Sequence, residues 1–240
     1  MKTLKSIFWY ITFVLSVIGM MIKYPFHKRK KNVLSKEEYT DYITGTLRDW
    51  AAKQMNRTGV TVNVTGMENL PEENVLFVAN HQSYFDIGFF LAYLPKNKSY
   101  VAKMSVSKIP FVQGYLRDIR CVFLDRGNLR QNAKEITEGI KTLKDGMSMV
   151  IFPEGTRSSG NEMLKFKGGS FKLAFKSRVP IVPVTLNGSY KLMTKGSWKI
   201  HSPTMDVIIH PPVYTKDLTR DKEVQISSLV HEIIGKAITR

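Results

Sequence analysis

The stretch Val75-Leu76-Phe77-Val78-Ala79-Asn80-His81-Gln82-Ser83-Tyr84-Phe85-Asp86 decides how this chain folds and where its chemistry sits. The unbroken apolar run reads as a strand buried on both faces, and the polar residues after it as a strand-to-helix turn. A histidine leaves the strand end and an aspartate follows five residues later, the arrangement of a general base whose imidazole is held by a carboxylate. In one continuous helix, positions five apart diverge by about 140° at 3.6 residues per turn. His81 and Asp86 can therefore meet only with His81 in the turn and Asp86 in the first turn of the next helix. Spacing alone leaves a second reading open, a strand-end histidine and an aspartate that merely favours the helix dipole.

Outward from this turn, short β-branched runs alternate with helix-length segments. Strands are expected over residues 60–65, 75–79, 99–102, 122–125, 148–152, 181–186 and 206–210, and helices over 85–93, 111–117, 129–143, 170–175 and 222–238. This is the pattern of an α/β domain, a mostly parallel central sheet flanked by helices, and it is assigned to residues 59–240. Neither an internal repeat nor a low-complexity linker divides it.

Residues 1–58 read differently, as an N-terminal helical membrane-anchoring appendage. Seventeen residues between Lys5 and Lys23 carry no charge, which as a helix span about 26 Å, the lower limit for crossing a bilayer. The segment either crosses or lies in one leaflet. The run Lys23-Tyr24-Pro25-Phe26-His27-Lys28-Arg29-Lys30-Lys31 follows it, placing the bulk of the chain on the cytoplasmic face of the cell membrane and drawing anionic headgroups. No small-residue cleavage site marks a secretory signal. A second helix is announced by the capping box Ser35/Glu38 and the stop Gly59. Its stripe of Tyr39, Tyr42, Ile43, Thr46, Leu47, Trp50 and Gln54 suits packing on the domain or lying in the membrane interface.

The net charge is +16 over 240 residues, a field that attracts polyanions. Zinc-finger, RNP and basic-zipper patterns are missing, so nucleic acid is not the expected partner. The single cysteine, Cys121, sits in an apolar run and reads as core, and no metal cluster is visible.

Two more strand ends carry unusual chemistry. Val122-Phe123-Leu124-Asp125-Arg126 puts an arginine just past a strand, and Phe152-Pro153-Glu154-Gly155-Thr156-Arg157-Ser158 breaks a buried strand into a polar turn. Gly155 permits close backbone approach, Thr156 adds a hydroxyl and Arg157 can grip a phosphate with two hydrogen bonds. The pattern is not a P-loop. Lys165-Phe166-Lys167-Gly168-Gly169 fits either a further phosphate loop or a flexible basic loop.

These segments, in this order, resemble the glycerolipid acyltransferases, specifically the bacterial 1-acyl-glycerol-3-phosphate acyltransferases of the PlsC type. The matching blocks are Asn80-His81 with Asp86, Phe123-Leu124-Asp125-Arg126, Phe152 to Ser158, and the strand from Val179 to Val184; together they cover about residues 60–212. The resemblance implies transfer of a fatty acyl group from an acyl thioester to the free hydroxyl of lysophosphatidic acid. His81 is then the base and Asp86 its orienting carboxylate, while Arg126, Glu154, Gly155, Thr156, Arg157 and Lys103 bind the phosphate. It implies no cofactor, with acyl-CoA or acyl carrier protein as co-substrate, and membrane lipids as partners. Ser83 is not taken as a nucleophile, because no Gly-x-Ser-x-Gly elbow surrounds it. The same chemistry on another glycerolipid or lysophospholipid acceptor, and a non-catalytic anionic-lipid-binding protein, are the alternatives.

Overall fold

A computed structural model describes residues 2–110, 112–125, 127–158, 160–194, 196–216 and 218–238, with the backbone alone at residues 2, 129 and 220–223. Phe111, where a helix was expected to start, and Arg126 lie outside the described residues.

Two long helices come first, α1 (Lys2–Lys30) and α2 (Lys36–Thr58). Seven strands follow, β1 (Thr61–Thr65), β2 (Leu76–Ala79), β3 (Lys98–Lys103), β4 (Val122–Leu124), β5 (Ser148–Ile151), β6 (Ile181–Asn187) and β7 (Thr204–Ile209). Between and after them run α3 (Asp86–Tyr93), α4 (Val112–Asp118), α5 (Leu129–Lys144), α6 (Lys172–Ser177) and α7 (Arg220–Lys236). The sheet order is β1-β7-β6-β2-β5-β3-β4. Neighbours pair parallel except β6 with β7, where Val184 faces Ile209 across an antiparallel ladder.

The apolar runs become strands buried on both faces because helices cover both sides of the sheet. In β2, Phe77 and Ala79 point to one core with Phe89, Phe90 and Val182, while Leu76 and Val78 point to another with Met149, Ile181, Val230 and Ile234. The period of two therefore divides one strand between two packed layers. Phe77 is fully buried, so Phe77→Ala would cost about 3–5 kcal/mol.

The N-terminal helices pack on the α/β domain. On α2, Ile43 and Met55 are buried in the same core as Phe77, so this helix takes the packing role. Ser35 and Glu38 form the expected capping box, and Gly59 ends the helix at φ 70. Helix α1 runs unbroken through Pro25 and the basic segment to Lys30. It lies along the domain from end to end. Ser6 Oγ accepts from Ile200 N–H at 2.9 Å, Trp9 Nε1 donates to Gln54 O at 3.2 Å and Tyr24 OH donates to Asp118 at 3.0 Å. Its other face is apolar and bare: Leu4, Phe8, Ile11, Leu15, Ile18, Ile22 and Phe26 are exposed.

Candidate active site

Four adjacent strands, β2, β5, β3 and β4, run parallel, so their C-terminal ends share one edge of the sheet. Ligands collect at such an edge in open α/β sheets. It brings together the turn after β2 with His81, the turn after β5 with Glu154 to Arg157, and Lys103 at the end of β3. Lys103 is exposed and its register partner is Leu124. Arg126 follows β4, outside the described residues.

The turn after β2 begins with a clamp. Asn80 is fully buried; its Nδ2 donates to Leu186 O and its Oδ1 accepts from Leu186 N–H, both at 2.8 Å. The side chain makes the two bonds to β6 that another strand residue would have made, and frees the backbone to turn. Asp86 is the first residue of α3, as the spacing argument required. Its Oδ2 lies 2.7 Å from His81 Nδ1 and accepts from Gln82 N–H and Ser83 N–H, each at 2.8 Å. Those amides can only donate, so the oxygen acts as acceptor for the imidazole as well, fixing the proton on Nδ1 and leaving the lone pair on Nε2. Asp86 is wholly buried and 18% of the His81 side chain is exposed, so the free nitrogen has access and its partner has none. Phe152 stacks on the imidazole at 4.3 Å between centroids and 22° between planes, which limits ring rotation.

The opposite end of α3 is closed by Lys98, whose buried Nζ donates to the carbonyls of Leu94, Pro95 and Lys96 at 2.6, 3.0 and 2.7 Å. These are the carbonyls of the C-cap residue and the two residues after it, so the lysine fixes the loop that leaves the helix.

The turn after β5 was expected to bind phosphate throughout, and Glu154 is placed for something else. It is buried, and its oxygens accept from His81 N–H at 2.7 Å and Leu164 N–H at 2.9 Å. Burial pushes its carboxyl above the ordinary range, against the lowering effect of those two bonds. A carboxylate already bonded to two amides, with no positive charge of its own, repels an anion; here it braces the histidine turn against the segment ending at Leu164. Ser158 N–H adds a third tie, donating to His81 O at 2.8 Å.

Gly155 takes φ +68, a conformation that favours glycine. Thr156 is exposed beside it, and the Arg157 guanidinium stands over the Tyr84 ring, 3.4 Å from its centroid. Gln82, buried, links three turns: its Nε2 donates to Gly160 O at 3.0 Å and its Oε1 accepts from Gly188 N–H at 3.2 Å. Asn80, Gln82, Tyr84 and Phe152 received no role from the sequence. The available signal was their position inside or beside the chemistry-bearing blocks, since a polar residue immediately after a buried strand must find partners.

Among the described residues, no group of three or more His, Cys, Asp or Glu side chains is placed to hold a metal ion.

Known proteins resemble this chain in sequence and in fold. The family model described as Acyltransferase matches residues 61–187. A 1-acyl-sn-glycerol-3-phosphate acyltransferase of Borreliella burgdorferi is 31% identical over 75% of this chain and 72% of its own length. The Saccharomyces cerevisiae protein of the same name is 31% identical over 83% of this chain and 66% of its own. The chain thus spans slightly under two thirds of the yeast relative. The crystal structure of the 1-acyl-sn-glycerophosphate acyltransferase PlsC from Thermotoga maritima superposes with a TM-score of 0.82 at 29% identity, covering 98% of this chain and 93% of that one. With an orienting carboxylate on the histidine, an arginine-bearing turn beside it, and a family model spanning the strands that carry both, the chain belongs to the acyltransferase family.

Proposed function

We propose that this chain transfers a fatty acyl group from an acyl thioester to the sn-2 hydroxyl of 1-acyl-glycerol 3-phosphate, forming phosphatidic acid. The observation that carries the reading is the His81–Asp86 pair at 2.7 Å, with its Nε2 free beside a turn bearing Thr156 and Arg157. Relatives named for this activity support the choice of acceptor.

His81 Nε2 takes the proton of the acceptor hydroxyl as its oxygen attacks the thioester carbonyl carbon. The new C–O bond forms, the C–S bond breaks, and the thiolate recovers the proton from the imidazolium. Asp86 stabilises that imidazolium without itself being protonated. The acceptor is the nucleophile, so the enzyme forms no covalent intermediate and needs no cofactor; acyl-CoA or acyl carrier protein serves as co-substrate. Arg157, Thr156 and the Gly155 backbone bind the phosphate together with Lys103 and Arg126. Glu154 acts indirectly, by holding the histidine turn.

The acceptor and product are lipids, and α1 suits them. The helix is long and apolar enough to cross a membrane by length and composition. Its lateral ties from Ser6 to Tyr24 bind it to the domain, so crossing would drag polar groups into hydrocarbon. It lies in one leaflet instead, its bare face among acyl chains and its basic end on anionic headgroups. Trp9 packs on Phe85, ring centroids 5.4 Å apart, and Phe85 precedes Asp86 in the chain. The membrane helix thus touches the catalytic turn, which sits on the cytoplasmic face.

The test is an activity panel in lipid micelles, crossing lysophosphatidic acid, glycerol 3-phosphate and other lysophospholipids with acyl-CoA and acyl carrier protein donors. His81→Ala should lose about 10²–10⁴-fold or more in rate. Retained lipid binding without any His81-dependent transfer would favour a lipid-binding protein instead.

A further inference from the structure

We infer that Lys167, from the basic loop after the second phosphate-type turn, is a further ligand of the acceptor's phosphate, seated in the space that Gly155 leaves empty. This rests on the phosphate site proposed above and adds to it a cation that the sequence left undecided.

The backbone puts Lys167 there. Its N–H donates to Pro153 O at 3.1 Å, and three residues earlier Leu164 N–H donates to Glu154 at 2.9 Å. Two bonds thus hold the loop along the turn that carries Gly155. A side-chain carbon placed on Gly155 would come within 2.7 Å of Lys167 Nζ and 3.4 Å of its Cε. The lysine stem therefore crosses above the glycine, and its ammonium lies too close to the Cβ position for any larger residue to stand at 155 without displacing it. The glycine serves two purposes, since its φ of +68 shapes the turn and its bare Cα admits the lysine.

The charge arrangement points to an anion. Lys167 is exposed, and among the described residues no carboxylate pairs with it. Glu154, three residues before Arg157 in the same turn, is occupied by the amides of His81 and Leu164. The turn thus presents the Lys167 ammonium and the Arg157 guanidinium with their nearest acid turned inward. A phosphate monoester carries about −1.5 to −2 near neutral pH, more than one cation balances. Arginine supplies a planar fork and lysine a compact point charge, a combination suited to three equivalent oxygens.

The experiment is steady-state kinetics of the full-length protein in mixed micelles, with Lys167→Met, Lys167→Arg and Arg157→Ala, each against lysophosphatidic acid and against phosphate-free 1-acylglycerol. Lys167→Met keeps the stem and removes the charge. It should raise KM for lysophosphatidic acid about tenfold, the lower end for losing one hydrogen bond to a charged group. It should leave kcat, donor KM, the thermal midpoint and the slow turnover of 1-acylglycerol within about twofold, and Lys167→Arg should restore most of the KM. A raised KM with Arg157→Ala but an unchanged one with Lys167→Met would overturn the role of Lys167 and leave the phosphate site standing. If neither variant moves the acceptor KM, the phosphate site itself is wrong and the inference goes with it. Equal losses on both acceptors, or a lowered thermal midpoint, would make Lys167 a structural residue and overturn the inference equally.

Discussion

Arg157 is held from below by Tyr84, its guanidinium carbon 3.4 Å from the ring centroid, so one residue of the histidine turn positions the cation of the neighbouring turn. Tyr84 is 64% exposed, and at such a site a cation–π contact is worth about 0.5–1 kcal/mol. Tyr84→Ala should therefore raise acceptor KM about two- to fivefold by releasing the guanidinium, with kcat unchanged. Tyr84→Phe keeps the ring and should keep the KM. Initial rates over a range of lysophosphatidic acid concentrations separate the two, and equal kinetics for Ala and Phe would remove Tyr84 from the site.

The tautomer argument yields a sharper expectation. In Asp86→Asn the amide oxygen should take the place of Oδ2, because His81 Nδ1, Gln82 N–H and Ser83 N–H all donate to that one atom, and the amide nitrogen the place of Oδ1. The tautomer is then kept and only the negative charge that stabilises the imidazolium is lost. The fall in kcat should therefore be smaller than the about 10⁴-fold of a hydrolase triad in which the same exchange inverts the tautomer, with near-wild-type acceptor KM. Asp86→Ala should in addition destabilise the fold, because two buried amides lose their acceptor at about 1–3 kcal/mol each. Thermal melts beside single-turnover rates check both halves.

How far the site could be read beforehand depended on the reach of each interaction. The His81–Asp86 contact is local, and the geometry of a strand-to-helix turn was enough to demand it. All seven strands and the helices between them followed from apolar periodicity, because each segment's burial pattern is its own property. Glu154 is the contrary case. Its partners, His81 N–H and Leu164 N–H, lie 73 and 10 residues away, and a carboxylate beside Gly-Thr-Arg gives no local hint that it faces inward. Lys167 needed the same long-range knowledge, since only the folded loop lays it across Gly155. Helix α1 was legible as apolar but not as half-buried, because composition does not say which face meets Trp50, Phe85 and Tyr115.

Glu154 also gives the fold a pH dependence. Burial raises its carboxyl above the ordinary 4.5 despite two amide donors. Between 4.5 and that higher folded value the native state binds more protons than the unfolded chain, so stability falls as pH rises through this window. Above the window the decrement is complete and the curve is flat in this respect. Glu154→Gln should lack this component. At neutral pH it should also be less stable by about 1–3 kcal/mol, because its NH2 group would face one of the amide donors at His81 or Leu164. Urea unfolding of both proteins from pH 4 to pH 8 tests the sign; a wild-type curve that climbs relative to Glu154→Gln over the window would contradict the burial argument.

The bare face of α1 supplies the last test, because its residues are dispensable for folding and needed only for a lipid surface. Leu15 and Ile18 are 61% and 41% exposed, so replacing both with glutamate should leave the thermal midpoint in detergent-free buffer nearly unchanged. In a leaflet only their exposed fractions remain to be buried, together equivalent to about one side chain, or about 1.5–3 kcal/mol. Losing both should lower partitioning onto phosphatidylglycerol vesicles about 10- to 150-fold, before any repulsion between glutamate and anionic headgroups. Replacing Trp9 with alanine should act in the opposite sense. It opens the packing against Phe85 and Gln54 and lowers the thermal midpoint, while the outward face still binds vesicles. Vesicle sedimentation together with melting curves distinguishes the two faces. A Leu15→Glu/Ile18→Glu protein that sediments like wild type would mean that the exposed stripe is not the surface that meets the membrane.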